Sequence, residues 1–167
     1  MVMPKQDIPV TAGVRFLRAR NIGFIPHFYK YETHGGTGWA ASSLGVDEHS
    51  VIKTLVMESD DMNPFVILMH GDREVSTKQL ARVLGVKRIL PASESHVTKY
   101  TGFQVGGVSP FGTKSTMPVL VERTILELER IYINGGKRGF LMEMSPNVLR
   151  DAFDIRVVSV AVKDEEE

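Results

Sequence analysis

The sequence predicts an α+β fold, a single domain in which a mixed sheet is flanked by short helices. Three observations lead there. Strongly β-prone runs at 51–57, 65–70, 119–121, 130–133 and 140–144 alternate with stretches that carry helix caps and helical spacing. The alternation is irregular, with turn signals at 60–63 and at Asn134-Gly135, so neighbouring strands are joined by hairpins as well as by helices. A length of 167 residues, with 43% hydrophobic and 24% charged side chains, is that of one ordinary globular domain. The expected extent is 1–163, followed by an acidic, solvated tail over 164–167.

Thr11 is placed to cap a first helix ending near Asn21, with Val14, Leu17 and Arg18 at helical spacing and Gly23 as the stop. A strand over 24–31 follows, and Pro26 near its start marks a sheet edge. The turn-rich 33–38 loop leads to a short helix over 39–44 closed by Gly45. Residues 51–57 and 65–70 form two strands, and Ser76 opens a helix whose buried stripe is Leu80, Val83 and Leu84. A short strand at 87–90 and a helix over 93–100 lead into a glycine-rich loop. A helix over 123–129 separates the 119–121 and 130–133 strands. The strand 140–144 returns from the Asn134-Gly135 turn. Ser145-Pro146 then opens a helix to Phe153, and 156–162 is a final strand.

Composition excludes several chemistries. The chain has no cysteine, hence no disulfide, thiolate nucleophile or thiolate metal site. His27, His34, His49, His70 and His96 lack paired helical spacing, so neither metal nor other cofactor is expected. There is no Gly-x-Ser-x-Gly elbow and no Walker pattern. The longest apolar runs are too short to cross a bilayer, and the first residues lack a signal-peptide pattern, so a cytoplasmic protein without a membrane partner is expected. Net charge is zero, but without the last four residues the chain carries 20 basic against 16 acidic groups, which allows a local basic face.

Three features remain that could carry chemistry. Residues 100–112 contain Gly102, Gly106, Gly107 and Gly112, with Pro110 restraining Ser109. Such a stretch is either a surface turn or a backbone bent so that the amides of Gly106, Gly107, Val108 and Ser109 face an anion. Lys53 lies in a strand apolar on both faces, and its ammonium either serves a site or snorkels past the sheet rim. The cluster Gly135, Gly136, Lys137, Arg138 and Gly139 is either a hairpin turn with solvated charges or a phosphate contact, to which Lys114 would add.

Ile52-Lys53-Thr54-Leu55, the run 101–112 and the run 132–139 together resemble the YbaK-type editing domains. These include the stand-alone Cys-tRNA(Pro) deacylases and the editing insertion of bacterial prolyl-tRNA synthetases. The resemblance covers nearly the whole chain, from the Thr11 helix to Phe153. It implies an α+β fold with a partly barrel-like mixed sheet, and hydrolysis of the ester joining a wrong amino acid to tRNA. Lys53 matches the family's essential lysine, and Gly106 to Pro110 match its Gly-x-x-x-Pro loop. Tyr29 and the Gly135 to Gly139 turn fall where family members line the pocket for the aminoacylated end. Asn134 stands where many cysteine-editing members have serine, and Leu141 where they have an acidic residue. These substitutions leave the reaction class intact and bear on amino-acid specificity.

The resulting expectation is a metal-independent, trans-editing aminoacyl-tRNA hydrolase acting on Cys-tRNA(Pro) or Ala-tRNA(Pro). Lys53, Gly106 and Gly107 are the expected catalytic groups. Tyr29, Thr54, Val108, Ser109, Pro110, Asn134, Gly135, Gly136, Lys137, Arg138 and Leu141 are the expected substrate contacts. The expected partners are tRNA and prolyl-tRNA synthetase, with no role for DNA. The rival from another class is a non-catalytic module that binds tRNA or a synthetase through the same pocket.

Overall fold

In the computed structural model residues 7–163 are described, and the expectations for the first residues and the acidic tail lie outside them. Strand β2 (Val51–Ser59) runs through the middle of the molecule. Along one edge it pairs antiparallel with β3 (Pro64–His70), from Ile52 opposite His70 to Glu58 opposite Pro64. Its other edge is shared. The parallel strand β7 (Ile131–Asn134) covers only Val51 and Ile52, and the antiparallel strand β5 (Ile89–Pro91) covers only Met57 to Ser59. Between them the edge of β2 at 53–56 has no partner strand, and the sheet is split there.

The pairing continues outward from β7 to β8 (Phe140–Met144) and then β1 (Ile25–Phe28), and from β3 to β6 (Val119–Glu122) and then β9 (Arg156–Val158). Pro26 does sit in an edge strand, where its missing amide hydrogen costs no ladder bond. A separate two-stranded sheet joins β4 (Arg73–Val75) to β10 (Ala161–Lys163). Five α-helices complete the described residues: α1 (Ala12–Ala19), α2 (Gly36–Leu44), α3 (Thr77–Leu84), α4 (Glu94–Thr101) and α5 (Val148–Ala152). Thr11, Ser76 and Ser93 each accept a bond from a first-turn amide, as side-chain caps do.

The period-two pattern of the strands explains why the sheet is buried on both faces. Ile52, Val56, Val66, Leu68, Val121, Ile131, Ile133, Phe140 and Met142 pack on one face with Val14 and Leu17 of α1, Phe111 and Leu149. On the other face there are two clusters instead of one. Met57, Phe65, Ile67, Met69 and Leu120 pack with Leu80 of α3, while Val51, Tyr132 and Leu141 pack with Ala40 and Ala41 of α2. Lys53 is on this second face, between Val51 of one cluster and Leu55 beside the other.

Several local expectations change. Val83, expected in the buried stripe of the helix after Ser76, is 45% exposed, and the buried residues of α3 are Leu80 and Ala81. The 24–31 strand stops at Phe28, and the Tyr29 amide donates instead to Gly139 O at 3.0 Å, which turns Tyr29 and Tyr31 out of the sheet. The 123–129 segment is a 3-10 turn over Arg123–Glu127. The last helix begins at Val148, because the Ser145 hydroxyl accepts the Asn147 amide in a local turn before it. The final strand is broken in two, since the buried Glu122 carboxylate accepts the Val160 amide at 2.6 Å and the Ala161 amide at 2.9 Å. Those two amides are drawn to a side chain, so β9 and β10 enter different sheets.

Candidate active site

The split in the sheet is the mouth of a cavity of about 590 Å³, lined by Lys53, Thr54, Gly106, Val108, Asn134 and Leu141 together with residues of α2 and α4. A cavity of this size accommodates a drug-sized ligand. Because β2 lacks a neighbour at 53–56, side chains of both its faces reach the same space. This is how consecutive residues, Lys53 and Thr54, line one cavity.

Lys53 ends at β4. Its ammonium donates to Arg73 O at 2.5 Å and to a Glu74 carboxylate oxygen at 3.1 Å. Two of the three ammonium donors are thus held by one short strand, which aims the group and leaves a donor for a ligand. The Lys53 side chain is 18% exposed while that of Glu74 is 53% exposed, so the pair bridges the interior and the rim. The hydroxyl of Thr54 is buried and is the one buried side-chain polar atom among the described residues without a partner.

Within the glycine loop only part of the predicted set faces the cavity. Gly106 and Val108 line it. Among the described residues their amides have no acceptor. Gly106 has φ of +93°, and a Cβ there would lie 2.6 Å from the Tyr31 hydroxyl and 3.1 Å from Arg138 Nε. The Gly107 amide is spent on Gln104 O at 2.8 Å. Ser109 is fully buried, and its hydroxyl accepts the Phe111 amide at 3.1 Å. Pro110 lines a second cavity of about 400 Å³ beside Phe16, Arg20 and Phe153. Gly107, Ser109 and Pro110 therefore brace the loop from behind.

The turn after β7 divides in the same way. Asn134 and Leu141 line the cavity. The Asn134 amide oxygen accepts the Gly136 amide at 2.7 Å and the Lys137 amide at 3.1 Å, while its nitrogen donates to Gly106 O at 3.4 Å. Asn134 thus ties the two glycine segments together. Gly135 O accepts the Thr11 hydroxyl, and a Cβ on Gly135 would collide with the Phe140 ring. Gly136 packs against Phe103. Arg138 donates from Nε to Val105 O at 2.9 Å, and its guanidinium lies 4.8 Å from the centre of the Tyr31 ring. Lys137 is exposed. Leu141 is 4% exposed. Tyr29 also lines the cavity, and burial, with Tyr31 beside it, raises its hydroxyl pKa above the ordinary value.

Tyr31, His34, Trp39, Glu74 and Glu94 line the cavity too and were not among the predicted contacts. Tyr31 could have been found, since it stands two residues beyond Tyr29. Glu74 could not, because three residues between a turn and a helix cap carry no strand signal.

A separate cluster lies below Lys53. His49 Nδ1 bonds Asp72 at 2.7 Å, His70 bonds His49 O and Thr124 at 2.7 Å each, and Arg73 pairs with Asp72 at 2.8 Å. Burial raises the Asp72 carboxyl pKa, but its bonds to His49 and Arg73 outweigh that and leave it below the usual range. The His49 and His70 rings are parallel within 6° and 3.7 Å apart. Within bonding distance no point lies in both ring planes, so the two rings as oriented cannot share an ion. The cluster instead anchors Arg73, whose carbonyl holds Lys53.

The sequence profile of the aminoacyl-tRNA editing domain family matches residues 38–152. Among curated proteins, the chain is 27% identical over 155 residues to EbsC of Enterococcus faecalis, named as a candidate Cys-tRNA(Pro)/Cys-tRNA(Cys) deacylase, covering 92% of this chain and 94% of that one. It is 27% identical over 135 residues to a proline–tRNA ligase of Limosilactobacillus fermentum, covering 77% of this chain but only 24% of the ligase. Among solved structures, hypothetical protein APE2540 superposes with a TM-score of 0.82 at 26% identity, over 90% of this chain and 99% of the other. A candidate trans-editing enzyme for prolyl-tRNA synthetase shares the fold with a TM-score of 0.81 at 21% identity, over 95% of this chain and 100% of the other.

Proposed function

The chain belongs to the aminoacyl-tRNA editing domain family, and from that premise we propose that it hydrolyses the ester of a small mischarged amino acid on tRNA, foremost Cys-tRNA(Pro) or Ala-tRNA(Pro). The observation that carries this reading is one cavity lined by Lys53, by Gly106 and Val108, whose amides have no acceptor among the described residues, and by the apolar Leu141. An aminoacyl ester is activated, so its cleavage needs positioning and charge stabilisation more than a strong protein nucleophile. Water attacks the carbonyl carbon or, for cysteine, the substrate's own thiol attacks it and water later opens the thiolactone that is released. Negative charge then gathers on the carbonyl oxygen, and donors fixed beforehand around that oxygen are each worth a factor of about 10² to 10³. The Gly106 and Val108 amides serve as those donors, and the Lys53 ammonium steadies the oxyanion or the terminal phosphate. The ester C–O bond then breaks and the ribose oxygen leaves with a proton. The protein works in trans on tRNA, in association with prolyl-tRNA synthetase.

The test is incubation with Cys-, Ala- and Ser-tRNA(Pro) at enzyme concentrations far below substrate. Multiple-turnover loss of the ester supports the hydrolase. Protection of the ester in proportion to added protein overturns it in favour of a binding module.

A further inference from the structure

The cavity is larger than a small acyl group needs, and its wall changes character along its length. Leu141 and Val51 are aliphatic, whereas the segment between β1 and α2 supplies Tyr31 and His34, and the first turn of α2 supplies Trp39. Trp39 is 40% exposed, yet it is held at both ends. Its indole N–H donates to Lys30 O at 2.8 Å. The chain before it packs so closely that a Cβ on Gly35 would lie 2.8 Å from Trp39 Cβ and 2.9 Å from its Cγ. His34, at φ of +64°, makes the reversal that brings this segment back under the ring. Tyr31 is committed differently, with Arg138 against its ring and its hydroxyl against Gly106. Trp39 is left as an oriented, solvent-reachable aromatic surface on the wall of the cavity.

We propose that Trp39 is the stacking ledge for the 3′-terminal nucleobase, so that the aromatic part of the cavity is a nucleobase subsite beside the aminoacyl pocket. The inference rests on the proposed ester hydrolysis, because that substrate carries a nucleoside next to the scissile bond. A rigid indole whose polar atom is already satisfied loses little freedom when a base lies on it. Base–aromatic stacking tolerates any base and typically changes affinity by about tenfold or more per aromatic residue.

Trp39 is the sole tryptophan of the chain, so its fluorescence reports the subsite directly. The probe is 3′-alanylamino-3′-deoxyadenosine, an amide that cannot be hydrolysed, set against the same amide on a ribose without a base. The base-bearing compound quenches Trp39 saturably and the base-free one does not. By calorimetry Trp39→Leu weakens the base-bearing compound about tenfold or more, Trp39→Phe keeps it within about threefold, and neither changes the base-free compound. Binding of the base-bearing compound without quenching overturns the ledge. So does equal weakening of both compounds by Trp39→Leu, which marks Trp39 as a pin for its loop, and so does the absence of any binding up to millimolar concentration. Quenching in a protein that never deacylates tRNA would leave the ledge standing and refute the hydrolase. Deacylation without quenching would do the reverse.

Discussion

The ammonium of Lys53 and the carboxylate of Glu74 lie 3.1 Å apart at the rim of a split in the sheet, although they belong to different sheets and stand 21 positions apart in the chain. Strand β4 holds Lys53 twice, through this carboxylate and through Arg73 O, and β4 is itself fixed by pairing with β10. Lys53→Ala is expected to lower deacylation by about two orders of magnitude or more. Melting should change little, since the carboxylate left behind is half-exposed and can be solvated. A variant that is active but melts early would make Lys53 a structural residue.

Glu74→Gln keeps the size and a hydrogen bond to Lys53 but removes the ion pair. We expect kcat to fall by about tenfold, KM for tRNA to stay within about twofold, and the melting temperature to hold. A rise in KM with kcat unchanged would mean that Glu74 contacts the tRNA and does not position the lysine.

Gly106→Ala puts a Cβ into a left-handed backbone and within 2.6 Å of the Tyr31 hydroxyl. The strain is about 1–3 kcal/mol, and relieving it moves the loop that lines the cavity. Turnover should collapse while the variant still folds. Normal turnover would remove Gly106 from the oxyanion site.

Much of this arrangement was legible in the sequence, for identifiable reasons. Alternating apolar residues on both faces of 51–57 place that strand in the middle, and Thr11 and Ser76 announce their helices by cap chemistry. Gly106 and Asn134-Gly135 show backbone needs that other residues meet poorly. What stayed hidden depends on contacts distant in the chain. The break between β9 and β10 is made by Glu122, some forty residues away. The partner of Lys53 lies on a three-residue strand that exists only because β10 is there to pair with it. Arg138 looks like a solvated turn residue until Val105 O and the Tyr31 ring are brought beneath it.

That difference separates two neighbouring cations. Both are exposed, but the Lys137 side chain has no hydrogen bond or ion pair among the described residues, so Lys137→Ala should weaken tRNA binding and reduce the slope of log K against log salt by about 0.7 to 0.9, one phosphate contact. Arg138→Ala should instead lower kcat, because the loop from Val105 loses its tether, with the salt slope little changed. Equal effects of the two variants on the slope would return Arg138 to the phosphate contacts.

The Glu58 carboxyl is held below the usual carboxylate range, chiefly by its hydrogen bond from His96, with Tyr100 adding a second, against an opposing effect of burial. Its folded pKa lies below the unfolded one. The stability it confers is therefore fully present above the ordinary value near 4.5 and is lost as pH falls through the lower folded value. His96 and Tyr100 belong to α4, whose Glu94 and Val97 line the cavity. Glu58→Gln should lower the melting temperature at neutral pH and flatten its decline in acid. An unchanged acid profile would show that Glu58 does not anchor α4.

The last prediction concerns which amino acid is removed. Leu141, buried with Val51 and Ala40, presents an aliphatic wall to the cavity. Asn134 is poorly placed to make that wall polar, because its oxygen already accepts two backbone amides and its nitrogen already donates to Gly106 O. Among the buried side-chain polar atoms of the described residues, the Thr54 hydroxyl alone has no partner. A serine hydroxyl donates one bond and accepts two in water, so a single Thr54 partner leaves part of that capacity unpaired, at a cost of about 1–3 kcal/mol. A cysteine thiol is a weak donor that loses little on leaving water, and Thr54 can accept it. Alanine has no polar side-chain group to satisfy and gains nothing from Thr54. The expected order on tRNA(Pro) is cysteine, then alanine, then serine. Thr54→Val should narrow the gap between cysteine and alanine, and Leu141→Asp should raise serine relative to both. Side-by-side deacylation rates measure this order, and faster clearance of serine than of cysteine and alanine by the unmodified protein would overturn it.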